Sequence, residues 1–251
     1  MKHAGGFSEP PKRASEIFPE LPPTTPPGGV ATQSVRAKVP SLADRAQLKH
    51  VRFTTTGFAD MHEHGDLVPS FLRARKTCFI DGLGWELPCT EGMEFDQYDT
   101  PECRWVIMHE YGEILGGLRL MPTTSRCAIY TYMLRDAQLG LLEKIPRDVL
   151  FSEAPVSPTV WEGTRLFIVD NAGSKRRHAL QLALFEHMLR SAEHMGAQHV
   201  LGFVPDGWSR WTKRLGLSGT PVGPKVTIDG VVSQAAVMRV QTALSRFAKV
   251  V

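Results

Sequence analysis

Cysteine is scarce, with four residues in 251, and no two of them form a C-x-x-C pair. That excludes a disulfide framework and the common zinc ribbons, so Cys78, Cys89, Cys103 and Cys127 read as reduced, buried structural thiols. Long apolar runs are also missing. Nothing approaches the roughly 18 to 20 residues that span a bilayer, and Lys2 has no hydrophobic segment behind it, so neither membrane insertion nor a secretory signal is expected and the cytoplasm is the default location. Charge of one sign is not in excess: 29 Lys and Arg against 26 Asp and Glu leave a net +3. Nucleic-acid binding, which asks for a clustered basic face, is therefore not expected, although a local patch for an acidic partner is compatible with the balance. Metal ligands at helical i, i+4 spacing are lacking too, and His62-Glu63-His64 reads as a solvated loop with no metal.

What is present is an ordinary globular composition, 42% hydrophobic and 22% charged, long enough for one sizeable core. Prolines are unevenly spread, with eight of the 18 in the first forty residues. No helical or strand period survives there, so residues 1–45 read as a flexible Pro-rich extension and 46–251 as the folded domain.

Within that domain the apolar series Leu67, Val68, Phe71, Leu72 and Phe79, with Pro69 near its start, predicts a helix over 67–80. Arg75 shares its apolar side and needs an acid to pair with. Trp105–Met108 and Glu113–Leu120 read as strands around a turn at Tyr111-Gly112, and Thr164–Asp170 and His199–Val204 as two more. A helix over 175–195 lies between the latter two and ends at Gly196, giving a βαβ unit. Trp208–Leu215 reads as a short helix, and Lys225–Ile228 with Val231–Val240 as a closing hairpin turned at Asp229-Gly230. Strands with helices on both faces make an α/β sandwich.

Arg75, Phe79, Trp85, Glu94, Asp96 and Asp99 stand in one short stretch, followed by Gly117-Leu118-Arg119-Leu120-Met121-Pro122-Thr123 and Trp161-Glu162-Gly163-Thr164-Arg165. Acids, arginines and aromatic faces together suit a zwitterionic sulfonium compound, whose cations need carboxylates and π faces and whose carboxylate needs an arginine. The same residues, in order and near the spacing, resemble the acyl-homoserine-lactone synthases, which make quorum-sensing autoinducers from S-adenosylmethionine and an acyl thioester. The resemblance runs from about residue 51 to the C-terminus. It implies a three-layer αβα sandwich like the Gcn5-related N-acetyltransferase fold, with a mixed central sheet whose strands splay apart.

By that resemblance Arg75, Phe79, Trp85, Asp96, Asp99, Arg119 and Arg165 belong to the S-adenosylmethionine site, and Glu162, Arg119 and Asp99 are the catalytic candidates. The substrate amine must lose a proton before it attacks, and Glu162 is the implied base, acting directly or through a water. A Glu162–Arg165 pair is the structural alternative; strand residues three apart face opposite ways, so Arg165 is expected to find another acid. The oxyanion donor is a backbone amide on a splayed strand, placed at Phe167-Ile168-Val169. Lactone closure then needs the substrate held in a folded geometry. No prosthetic group is implied; S-adenosylmethionine is a co-substrate, and the donor is an acyl-carrier-protein or coenzyme A thioester.

Lys175-Arg176-Arg177 in the first turn of a helix runs against its dipole and makes sense if an anion binds there, as the phosphopantetheine arm implies; Asn171-Ala172-Gly173-Ser174 matches the acetyltransferase loop only in part. A solvated basic helix end is the alternative. Met133, Leu134, Leu184, Phe185, Met188 and Phe203 are candidates for the acyl wall. In the resembled family many members that prefer 3-oxo chains carry Thr near the position matched by Val204 or Pro205; Phe203-Val204-Pro205 offers no hydroxyl, so the resemblance implies an unsubstituted chain. Two other functions compete: a general N-acetyltransferase, which does not need the Arg75–Asp99 cluster, and an inactive binding protein, which would not need Glu162 and Arg119.

Overall fold

The computed structural model describes residues 48–169 and 173–247; the extension at 1–45 and Asp170 lie outside them. Its centre is a seven-stranded sheet in the order β1-β4-β5-β6-β7-β9-β8. The strands are β1 (Val51–Thr56), β4 (Arg104–Glu110), β5 (Glu113–Pro122), β6 (Val160–Ile168), β7 (His199–Pro205), β8 (Thr220–Ile228) and β9 (Val231–Arg239), while β2 (Cys89–Thr90) and β3 (Met93–Glu94) pair separately. All neighbours run antiparallel except β6 and β7, the two that flank the long helix. The helices are α1 (Leu67–Lys76), α2 (Met133–Leu139), α3 (Ser174–His194), α4 (Trp208–Arg214) and α5 (Val240–Phe247).

Alternation along the strands feeds two cores. Val106, Met108, Leu118 and Leu120 face α3 and α5, packing on Leu184, Phe185, Met188, Leu189 and Leu244. Trp105, Ile107, Met121 and Phe167 face the other way, toward Val68, Phe71 and Leu72 of α1 and Leu134 of α2. Each such side chain contributes about 1.5 to 3 kcal/mol by leaving water, so the three layers follow from period-two and period-3.6 patterning. Gly117 sets how closely α1 approaches: a Cβ there would lie 2.7 Å from the Phe71 ring and 2.4 Å from the Val106 carbonyl oxygen.

Both hairpin turns form as read, with Tyr111 and Gly112 at φ 51° and 88° and Asp229 and Gly230 at 48° and 80°. Two left-handed residues in a row match the right-handed twist of the flanking strands. Other boundaries differ. The strand expected at Thr164 begins four residues earlier, at Val160, which puts Glu162 inside it. Val240 opens α5 rather than closing β9. Helix α1 stops at Lys76 and continues as a wider π turn over Thr77–Gly82. His62-Glu63-His64 lies in a 3-10 turn, and among the described residues no group of His, Cys, Asp and Glu could hold a metal ion. Of the cysteines only Cys103 is buried; Cys89 and Cys127 are exposed, in a short hairpin and in the segment after β5 where little packs over them.

Candidate active site

Three arginines and three acids interlock beneath the α1 face of the sheet. Arg75 donates through Nε to Glu94 at 2.6 Å and through Nη1 and Nη2 to Asp99 at 2.7 and 3.0 Å. Arg119, on β5, reaches Asp96 at 2.6 Å, Asp99 at 3.0 Å and the Thr164 hydroxyl at 3.1 Å. Arg165 joins Asp96 at 2.7 Å and Glu94 at 3.2 Å. Asp99 also accepts from the Trp105 indole at 2.9 Å and the Asp96 amide at 3.0 Å. Formal charge in the set cancels, which is what lets six ionised groups stay out of water. Burial alone would raise the carboxyls of Asp96 and Asp99, but Arg119 and Arg165 beside Asp96, and Arg119 and Arg75 beside Asp99, outweigh it and hold both below the usual carboxylate range.

The sequence-derived site residues thus divide. Arg75, Asp99 and Arg119 are sealed, with side chains at most 1% exposed, whereas Arg165 retains 11% and borders the cavity described below. Arg165 does not pair with Glu162, as expected, but the reason is different from simple alternation. Gly117 pairs with Phe167 and Arg119 with Thr164, so β6 carries one extra residue in between. Arg165 sits in that bulge at φ 56°. A left-handed, non-glycine bulge of this kind costs about 1 to 3 kcal/mol, and here it returns Arg165 to the side of Thr164 and Arg119. Phe79 lies in the π turn, buried under Arg165 with its ring centroid 5.8 Å from the guanidinium carbon, and stacks on the more exposed Trp85 at 5.2 Å.

Glu162 stands across β5–β6 from Met121, two residues along the strand from Thr164. Its carboxylate accepts from the Met133 and Leu134 amides, both at 2.9 Å, and so caps a helix whose own N-terminal residue supplies no side-chain cap. Burial pushes its proton affinity up, to a pKa of about 7, although the two amides and Arg119 pull the other way. A carboxyl poised near neutrality is what a general base requires.

Strands β6 and β7 pair only over Val160–Glu162 and His199–Leu201. Beyond that they diverge around a cavity of about 330 Å³, lined by Gly163–Leu166 on one side and Gly202–Pro205 on the other. Phe79, Trp85 and Met133 close one face of it, and Phe185, Met188, Trp208 and Met238 the opposite face. Of the proposed acyl wall, Met133, Phe185, Met188 and Phe203 line this space; Leu134 and Leu184 are wholly buried core outside the lining. Phe167 and Ile168 are outside it too, since they pair with Gly117 and Gly116 and the Val169 amide bonds Leu115. The β6 backbone that faces the cavity is Gly163–Leu166, a few residues upstream of the expected oxyanion donor. Thr164 and Ser233 are the hydroxyl-bearing residues of the lining, and the Thr164 hydroxyl is engaged by Arg119.

Lys175 is exposed at the start of α3, but Arg176 is paired with Glu110 of β4 at 2.5 Å and Arg177 is buried, so the basic run is less open than three adjacent cations suggest. Lys144 meets Glu86 at 2.9 Å and Asp229 at 3.8 Å, tying loop, loop and hairpin together at the cavity's edge. Glu94 and Thr164 stood in the sequence pattern but carried no assigned role in the site; Glu94 turns out to hold Arg75 and Arg165, and Thr164 acquires its contact with Arg119 only through strand register.

A mixed sheet splayed at its one parallel pair, with a cavity at the gap, is an arrangement shared with solved acyltransferases. A Pseudomonas aeruginosa acyl-CoA N-acyltransferase shares it at a TM-score of 0.50 and 15% identity, over 75% of this chain and 99% of that one. The chain belongs to the autoinducer synthase family, whose sequence profile matches residues 60–246. An acyl-homoserine-lactone synthase of Acinetobacter nosocomialis is 30% identical over 181 residues, 69% of this chain and 92% of the relative. One of Pseudomonas aeruginosa is 29% identical over 161 residues, 63% and 72% of the two chains. Among solved structures, TofI in a ternary complex with an inhibitor and MTA superimposes at a TM-score of 0.62 with 25% identity, over 79% of this chain and 96% of that one. BjaI, a CoA-dependent acyl-homoserine lactone synthase with SAM and isopentyl-CoA, gives 0.64 and 22%, over 79% and 88%.

Proposed function

We propose that the protein is an acyl-homoserine-lactone synthase, moving an acyl group from a thioester to the amine of S-adenosylmethionine and then closing the lactone with release of methylthioadenosine. The observation that carries this reading is the two-ended cavity: Arg165, Phe79 and Trp85 at one end, and an apolar wall at the other. The sulfonium and adenosyl parts lie against the Phe79–Trp85 stack and the carboxylate near Arg165. Glu162 takes the amine proton; its carboxylate lies behind the Met133 amide, so a water relays the proton. The freed amine attacks the thioester carbonyl, whose oxyanion is held by backbone amides of the cavity-facing part of β6, and the thiol leaves. The substrate carboxylate then displaces methylthioadenosine at the γ carbon. Arg75, Asp99 and Arg119 hold Asp96 and Arg165 in place, and are positioning groups in this scheme.

The donor is a phosphopantetheine thioester entering from the side of Lys175, and carrier protein and coenzyme A are tested as separate arms. Purified full-length protein, supplied with S-adenosylmethionine and each acyl donor, releases methylthioadenosine and yields a lactone identified by mass spectrometry. Acylation of a plain amine without the sulfonium compound would instead favour a general N-acyltransferase, and no release with any donor would reject the reading. Among the described residues no helix is long and apolar enough to cross a membrane.

A further inference from the structure

The cavity passes through the sheet, because its lining draws on both cores: Phe79 belongs to the one beneath α1, and Phe185, Met188, Trp208 and Met238 to the one beneath α3. An acyl chain attached to an amine held near Arg165 therefore runs toward α3 and α4 and meets the Trp208 indole. That ring has an unusual seat. A Cβ on Gly219 would lie 2.3 Å from its Cζ3 and 2.5 Å from its Cη2, closer than real side chains approach. The segment carrying Gly219 is anchored just upstream, with the Leu217 amide bonded to the Thr212 carbonyl at 2.8 Å and Leu215 and Leu217 both buried. Trp208 is fixed at its backbone, its carbonyl accepting from the Thr212 hydroxyl at 3.0 Å. Gly219 is not among the residues with positive φ, so alanine is conformationally allowed there.

We infer that Trp208, seated on Gly219, is the stop that sets acyl length, and that the glycine is selected to keep the ring back from the cavity. A methyl at position 219 pushes the indole inward because the anchored segment resists retreat. Removing the indole extends the apolar end. The inference rests on the synthase reading for the identity of the ligand.

The test measures kcat/KM for methylthioadenosine release with matched hexanoyl and decanoyl thioesters, and, by calorimetry, the affinities of the two coenzyme A thioesters. One methylene misfit in an apolar pocket is worth roughly 10- to 200-fold. Trp208→Ala, and Trp208→Leu should the alanine variant fold poorly, raises the decanoyl-to-hexanoyl ratio at least about tenfold; Gly219→Ala lowers it by a similar factor. The KM for S-adenosylmethionine, bound at the far end, stays unchanged. Ratios that stay within about twofold of wild type, or shift in the same direction in both variants, overturn the inference. Loss of turnover with every donor in the wild type speaks against the synthase reading instead, and the calorimetric ratio still decides the role of Trp208.

Discussion

Replacing Asp99 by alanine removes the acceptor of four hydrogen bonds, from Arg75 twice and from Trp105 and the Asp96 amide, and the ion pair with Arg119. It leaves two sealed guanidiniums sharing the remaining acids. Stranding a buried charge costs about 3 to 5 kcal/mol, and for a domain of this size each kcal/mol lowers Tm by about 2 to 4 °C, so a fall of roughly 6 to 20 °C is expected. Arg165→Ala is the informative contrast. Glu94 and Asp96 keep Arg75 and Arg119 as partners when it is lost, so Tm falls less, while the cavity loses its cation. Losing about 2.7 kcal/mol of transition-state stabilisation is about a hundredfold in rate, and methylthioadenosine release should drop by at least that much. Differential scanning fluorimetry and a coupled release assay on both variants separate the roles. An Asp99→Ala protein melting within about 2 °C of wild type, or an Arg165→Ala enzyme at near wild-type rate, refutes the division between sealed frame and working face.

Glu162→Gln slows acyl transfer by about a hundredfold or more, and a pH–rate profile shows the wild-type limb rising through about pH 7 and the variant without that limb. The raised pKa of Glu162 means its contribution to stability is full below the ordinary glutamate value and is lost as pH rises through about 7, so the variant's Tm changes less between mildly acidic and mildly alkaline buffer. For Asp96 and Asp99 the sign is opposite: their depressed values stabilise the fold above the usual carboxylate range, and that stability drains away as pH falls below it; acid titration of wild type against Asp99→Asn shows a shallower loss in the variant. Removal of residues 1–45 leaves turnover and Tm unchanged, checked on the shortened protein; a large drop in Tm would show that the segment packs on the domain.

Local features survived the passage from sequence to fold, and long-range ones did not. The two hairpin turns were legible because Tyr-Gly and Asp-Gly declare a left-handed pair, and α3 because its apolar stripe repeats over 21 residues. The charged set was legible as a spacing pattern, but who pairs with whom was not. Nothing about Arg165 marks it as the left-handed residue of a bulge, since neither glycine nor asparagine stands there. The capping of α2 by Glu162 joins segments about 30 residues apart, so no local signal could show it. Ala235–Met238 and Val240 read on as strand across Arg239, whereas Val240, Ala243 and Leu244 pack at helical spacing into the core that holds α3, and the helix starts at Val240. The stretch of β6 that borders the cavity was not legible either, because the point of divergence depends on where β7 stops pairing, which is a property of two strands rather than one.

The three-residue ladder between β6 and β7 has a consequence for what the cleft grips. Past Glu162 and Leu201 the two strands no longer pair with each other, so each turns a main-chain rim of N–H and C=O groups toward the cavity between them. The thioester linkage itself has no N–H to offer such a rim. The amide made from it has both a donor and an acceptor, on opposite sides, like one residue of an inserted strand. In the proposed reaction, acyl transfer therefore adds an N–H at the reacting linkage, and a main-chain contact to it is one that no single side-chain substitution removes. On that scheme the side chains lining the cavity answer to the length and shape of the acyl group, and the main chain to the new amide.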